Sequence, residues 1–265
     1  MPGSDFIVTF LGVGGSSALS RPERTRYGAN TSCVLLEAGG RPLILDMGTG
    51  LVKLRELRQA DILLSHYHLD HIEGMPFFEP LYTDGQFDVY GRSYQDTNIR
   101  SALSGLLRPP YLPITPSHFR AEVRYHDIGR DSFTTTGGLD VDTIALDHPD
   151  GCLGFRIHYG GRSVAYVIDH ERTGEEEARF CEGADLMIYD AHFTAAEYES
   201  GRYTGWGHSH HEAGLALAQA AGARRIVFVH HAIWRTDDEL DALAAGLSAR
   251  FAGAVVGKED MRIEL

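Results

Sequence analysis

Six consecutive residues, His66-Tyr67-His68-Leu69-Asp70-His71, place three imidazoles and a carboxylate together. Neutral imidazole and carboxylate are the usual ligands of zinc and related divalent metals. Just upstream, Asp61-Ile62-Leu63-Leu64-Ser65 reads as a short buried strand, so the run sits at a strand tip and the turn after it. His66 and His68, two apart, can point the same way on extended chain. Asp70 and His71 follow where the chain turns and can aim at a neighbouring point. Two ligand sets side by side suit a two-metal hydrolase, in which the ions lie about 3.5–4 Å apart. The run alone supplies too few ligands, so later segments must bring more.

Three later strands end in ligand-type residues. Thr143–Leu146 runs to Asp147-His148, Val164–Ile168 to Asp169, and Ile226–Val229 to His230. An Asp after a strand is common in turns, and a lone strand-end His is usually a satisfied polar residue. The shared placement of His148, Asp169 and His230 gives the pattern its weight, because it carries all three to one edge. His231 competes with His230, which is preferred because it directly ends its strand.

The elements that must position these residues alternate along the chain. Strands are expected at Phe6–Leu11, Cys33–Glu37 and Pro42–Asp46, then a helix over Leu51–Arg58 ahead of the Asp61 strand. Residues 76–118 carry six prolines and read as an irregular excursion with a helix near Asp96–Leu107, laid over the site as a rim or a dimer contact. The second half repeats the grammar. Strands are expected at Leu139–Leu146, Leu153–Tyr159, Ser163–Ile168 and Asp185–Tyr189, a helix at His210–Ala221, a strand at Arg225–Val229 and a helix at Thr236–Phe251. Two sheets packed face to face with helices outside, an α/β four-layer αββα sandwich, is the expected fold, with residues 1–265 forming one domain.

Composition narrows the classes. The chain has 265 residues, 43% hydrophobic, enough for a sizeable core. No run is long and apolar enough to span a membrane, and Met1–Asp5 lacks a secretory pattern. Cys33, Cys152 and Cys181 are odd in number and widely spaced, which argues against a disulfide framework and for a reducing cytoplasm. The net charge is −13, and Lys53 and Lys258 are the only lysines. That charge disfavours a long nucleic acid as partner. It leaves room for a small anionic substrate, since bound cations reverse the charge locally.

Taken together, the run His66 to His71 with His148, Asp169 and His230 resembles the metallo-β-lactamase superfamily. The resemblance implies the fold of that superfamily and two divalent metal ions, zinc first, with manganese or iron as alternatives. It implies that His66, His68 and His148 hold one metal, that Asp70, His71 and His230 hold the other, and that Asp169 bridges them. Gly12–Ser16, Arg26–Cys33 and Asp46–Gly50 are similar to segments of the phosphodiesterase-like members. Gly207-His208-Ser209, read as opening a helix with Ser209 at its cap, resembles the Gly-His-Ser/Thr motif of RNase Z and its relatives. There the His pairs with an acid ending an earlier strand, a place filled here by Asp190 instead of the family's usual Glu. His208, Asp190 and Asp70 are then the residues at the reacting centre.

The chain departs from RNase Z in one respect: that enzyme carries a long tRNA-gripping arm between its third metal-site His and its bridging Asp, whereas His148 and Asp169 are 21 positions apart. The expected activity is metal-assisted hydrolysis of a small or cyclic phosphodiester, with a hydroxide bridging the metals as nucleophile and His208 as proton donor. The alternatives are a hydrolase of a carbonyl substrate (lactone, thioester or β-lactam) and a non-catalytic metal-dependent sensor. His170, His192, His210, His211 and His231 crowd the same region without a readable role.

Overall fold

The computed structural model describes residues 6–129 and 131–265. Residues 1–5, read above for a secretory pattern, lie outside the described residues. The chain makes two similar passes. The first is β1 (Phe6–Gly12), β2 (Cys33–Ala38), β3 (Leu43–Leu45), β4 (Gln59–Leu63), the single-turn α1 (Leu69–Ile72), β5 (Gln86–Arg92), α2 (Ile99–Leu106) and β6 (Glu122–Ile128). The second begins with β7 (Phe133–Thr134), β8 (Asp140–Leu146), β9 (Cys152–Tyr159), β10 (Arg162–Val167) and α3 (Glu175–Phe180). It continues with β11 (Leu186–Asp190), α4 (Ala195–Glu199), α5 (His211–Ala221), β12 (Ile226–Val229), α6 (Asp237–Arg250) and β13 (Ala254–Val256). The last strand, β14 (Arg262–Glu264), returns to pair with β1.

Each pass builds one sheet, ordered β14-β1-β2-β3-β4-β5-β6 and β13-β12-β11-β10-β9-β8-β7. Both are mixed. Strands β3 to β6 run parallel in the first, and β10 to β13 in the second. Parallel neighbours need crossovers, so their C-terminal ends share one edge, and at that edge both sheets deliver their polar residues.

Side-chain alternation sorts the apolar residues into layers. Phe6, Val8, Phe10, Leu36 and Leu45 meet Phe155, Ile157, Val164, Tyr166 and Ile188 between the sheets. Ala165, Val167, Met187 and Tyr189 face outward onto Leu215, Ala218, Leu240 and Leu247 of α5 and α6. Ile44, Ile62, Leu64 and Val89 pack outward on Phe78, Ile99 and Leu103. The architecture is the expected αββα sandwich.

Three local readings are corrected. The segment Leu51–Arg58 is one 3₁₀ turn, Thr49–Lys53, and not a helix. Both ends are already committed: Thr49 Oγ1 accepts from Thr31 N at 2.8 Å, and the Arg58 carbonyl accepts from Gln86 N at 2.8 Å. Too little chain is left for further turns. The excursion 76–118 contains a core strand, β5. Its alternation is masked by buried Asp88, which pairs with Arg41 at 2.7 Å and His126 at 2.8 Å. Helix α5 starts at His211 with His210, not Ser209, at its cap; His210 Nδ1 accepts from Ala213 N. Ser209 is buried instead, its Oγ 2.8 Å from the Tyr189 hydroxyl.

The three cysteines are buried and unpaired. No helix among the described residues is long and apolar enough to cross a membrane. Phe77 and Tyr111, on the excursion, are exposed.

The loop after β1 is fastened by one carboxylate, Asp237 at the start of α6. It accepts from the backbone N–H groups of Thr25, Arg26 and Tyr27 at 2.7, 2.8 and 3.2 Å. Burial pushes its pKa up, but those three donors outweigh it and hold the pKa below the ordinary value. Its stabilisation is therefore present above the ordinary carboxylate range and is lost as pH falls through the lowered value. Asp237→Ala is expected to cost about 2 kcal/mol, read as a lower denaturant midpoint at neutral pH, with the difference from wild type shrinking in acid.

Candidate metal centre and active site

The site is assembled from the ends of strands. His66 and His68 follow β4, Asp70 and His71 lie on α1, and His148 follows β8. Asp169 follows β10, Asp190 ends β11 and His230 follows β12. Asp169 and His230 sit at φ of +53° and +61°. Left-handed backbone is uncommon outside glycine, and it clusters at functional sites, where it re-aims a side chain.

The sequence-predicted residues converge in two overlapping groups. His66, His68, His148 and Asp169 form one, and Asp70, His71, Asp169 and His230 the other; within each, the potential ligand atoms lie within 4.8 Å of one another. Asp169 belongs to both. Its Oδ2 lies 3.5 Å from His66 Nε2, 3.3 Å from His71 Nε2 and 3.6 Å from His148 Nε2, and its Oδ1 lies 3.2 Å from His230 Nε2. His231 turns away, with Nε2 at 2.8 Å from the Gly257 carbonyl.

The donor set fits divalent metal ions. Three buried atoms, His66 Nε2, His71 Nε2 and Asp169 Oδ1, have no hydrogen-bond partner. Orphaned buried polar atoms are expensive, and these point into one cluster. The opposite ring nitrogens are engaged elsewhere, which turns Nε2 of each ring inward; that of His148 lies 3.0 Å from His68 Nδ1. His71 Nδ1 lies 2.8 Å from Asp46 Oδ2, and His148 Nδ1 donates to the Gly207 carbonyl at 2.8 Å. Such outer partners fix ring tautomer and orientation in metal sites. No thiolate takes part, so a hard-to-borderline ion is the match.

Beside the cluster stands a second unit. His208 Nδ1 lies 2.9 Å from Asp190 Oδ2, and the His208 ring stacks at 4.8 Å on His230 and 4.6 Å on His192. Burial lowers the His208 pKa, but the Asp190 charge and hydrogen bond outweigh it and raise it to about 9. His192 goes the other way: burial, then the His208 charge, lower it to about 3, and its Nδ1 donates to the His230 carbonyl at 3.0 Å. Asp190, His208, Asp169 and His230 also lie close enough to hold an ion, so metal content is a necessary readout for any His208 variant.

The remaining histidines have structural places. His210 caps α5, His211 packs on Phe228, and His170 Nδ1 accepts from Asp147 N at 3.2 Å.

Sequence reasoning missed two carboxylates. Asp46 (φ +60°) is fully buried, and its oxygens accept from Ser65 N and Oγ, Tyr166 OH and His71 Nδ1. Its place directly after the Leu43–Leu45 strand is the same signal that drew attention to Asp169. Glu171 accepts from Gly205 N at 2.9 Å, Gly207 N at 2.8 Å and Tyr198 OH at 3.0 Å, and so clamps the loop that carries His208. No sequence pattern marks it.

The match to known proteins agrees with this geometry. Residues 46–231 match the model of the beta-lactamase superfamily domain. The chain belongs to that superfamily. A ribonuclease Z of Methanosarcina acetivorans is 26% identical, with 97% of each chain covered. The crystal structure of the metallo-beta-lactamase fold protein YhfI from Bacillus subtilis superposes with a TM-score of 0.76 at 23% identity, over 99% of this chain and 100% of that one. A diphosphatase from the PhnP family superposes with a TM-score of 0.71 at 17% identity, over 98% of each chain. These likenesses establish the metallo-β-lactamase fold for this superfamily member.

Two substitutions test the outer supports. Asp46→Ala should free the His71 ring and weaken metal binding by about 10- to 100-fold, measured by competition with a chromogenic chelator. Gly207 sits at φ +80°, and a Cβ there would lie 2.2 Å from His148 Nδ1. Gly207→Ala should therefore disturb both the His148 ring and the His208 loop, and metal content and turnover should fall together.

Proposed function

We propose that this metallo-β-lactamase superfamily hydrolase is a phosphodiesterase that cleaves a small or cyclic phosphodiester at a pair of divalent metal ions, zinc first among them. The observation that carries the reading is the His208–Asp190 pair, set 2.9 Å apart and stacked on His230 at the edge of the cluster. Hydrolysis of a thioester or nitrophenyl ester releases a group that departs readily, whereas an alkoxide leaving phosphorus needs a proton. Ribonuclease and diphosphatase, the words borne by two of the similar proteins, both describe chemistry at phosphorus.

When bound, the two cations would supply an acidified water near neutral pH and offset the negative charge of the phosphate. His66, His68, His148 and Asp169 would hold one ion, and Asp70, His71, His230 and the shared Asp169 the other. The chain's own groups do the rest. Asp46 and the Gly207 carbonyl keep the His71 and His148 rings turned inward. Ser16 N donates to Asp70 Oδ2 at 2.8 Å and steadies that carboxylate. With Nδ1 engaged by Asp190, His208 presents Nε2 to the substrate. As the phosphorus bond to the leaving oxygen breaks, His208 gives that oxygen its proton, and Asp190 holds the resulting ring in place. Water oxygen ends on phosphorus, and its proton restores His208 in the next cycle.

A small substrate is favoured because His148 and Asp169 are joined only by the β9–β10 hairpin and its flanking residues, with no arm inserted. The low lysine content points the same way.

Elemental analysis of protein purified without chelator is expected to give close to two metals per chain. Asp169→Ala should lose at least one of them and most activity while remaining folded. His208→Ala should slow an alkyl phosphodiester about 10²–10⁴-fold but a nitrophenyl phosphodiester far less, at unchanged metal content. Asp190→Asn should give a smaller loss of the same kind. An equal drop on both substrates would reject the proton-donor role, and a loss of metal in His208→Ala would move that ring into the coordination shell.

A further inference from the structure

A cavity of about 210 Å³ opens beside His66 and His68, lined by Tyr67, Arg92, Tyr94, Asp150 and Gly151. Arg92 is the last residue of β5, which runs parallel to the strand that delivers His66. The Tyr67 hydroxyl donates to its carbonyl and pins its backbone. Its guanidinium lies across Gly151, where a Cβ would meet Nη1 at 1.8 Å and push it aside. Its polar contacts are two long ones to carbonyls, Nε to Ser93 at 3.4 Å and Nη1 to Asp150 at 3.5 Å. Among the described residues no carboxylate stands within ion-pair distance of it. The acid that shares the cavity is tethered elsewhere: Asp150 Oδ1 accepts from Tyr94 OH at 2.9 Å, and Oδ2 lies 3.7 Å from His68 Nε2.

An arginine without a carboxylate, in a chain of net charge −13 and beside the candidate metal ligands, is placed to meet an anion. The cavity is separated from His208 by the rings of His68 and His148, whose centroids are 4.8 Å apart and 5.3 Å from His148 to His208. His208 serves the leaving group, so the cavity faces the part of the substrate that stays on phosphorus. We propose that Arg92 is the specificity-determining residue of this site and binds a second anionic group carried on the non-leaving side of the phosphodiester.

This inference rests on the phosphodiesterase reading, and its test separates the two. Diphenyl phosphate and phenyl 4-carboxyphenyl phosphate share one diester centre and differ by a single carboxylate. Titration calorimetry on the metal-loaded protein should show the carboxylated ligand binding roughly 10- to 100-fold tighter, the range of one charge-assisted contact. In Arg92→Met that ratio should collapse toward one, and in Arg92→Lys an intermediate ratio should survive, because the charge remains but the fork is lost. Equal affinities in the wild type, or a preference that persists in Arg92→Met, would overturn the proposal. An Arg92-dependent preference with no turnover of either compound's 4-nitrophenyl counterpart would uphold Arg92 as an anion contact and overturn the phosphodiesterase reading instead.

Discussion

Four donors meet on the carboxylate of Asp46: the Ser65 amide, the Ser65 hydroxyl, the Tyr166 hydroxyl and the His71 ring. They come from the end of β4, from α1 and, through Tyr166, from β10 in the opposite sheet. Asp46 is therefore a joint between the two sheets as well as the support of one candidate ligand. A buried carboxylate is tolerated only when its acceptors are filled, and here both oxygens are. The arrangement fixes how the first sheet's run, His66 to His71, sits against the second sheet's Asp169. Each of the two groups of ligands draws on both halves of the chain, so both depend on that seating.

The site also illustrates why strand ends are the places where such chemistry collects. A strand buried on both faces admits a polar side chain only when it is paired, as Asp88 is, and the chain first becomes free to turn just beyond the strand. Asp46 and His230 stand at the first position beyond their strands and Asp169 at the second, and all three take left-handed backbone there. The strain of about 1–3 kcal/mol per residue is offset by the two cores that hold the strands on either side. Asp169 and His230 also leave buried atoms unsatisfied. The apolar layers thus stabilise a region that is unfavourable on its own, as expected where a bound ion completes the set.

Much of this was legible in the amino-acid order because the ligand candidates obey a positional rule. Every one of them follows a short apolar strand or lies in the His-rich run, and Asp190 ends a strand in the same way. The αββα layering followed from strands alternating with helices in two matching halves. What was hidden was hidden for physical reasons. Asp88 is buried by pairing with Arg41 and His126, so β5 did not look like a core strand. Leu51–Arg58 has helical composition, yet hydrogen bonds at both ends leave it a single turn. Glu171 acts on backbone amides of a loop that only the folded chain brings near. The cap of α5 went to His210 because Ser209 is drawn inward by Tyr189.

The peptide unit of Gly207 has a consequence of its own. Its carbonyl receives the His148 ring, its amide is held by Glu171, and the next residue is His208. The plane that joins Gly207 to His208 therefore carries the acceptor of a candidate ligand's ring at one end and the amide of the proposed proton donor at the other, while Glu171 holds the plane before it. Any tilt of that plane moves the acceptor of the His148 ring and the backbone of His208 together, so a change at this one turn is felt at both side chains.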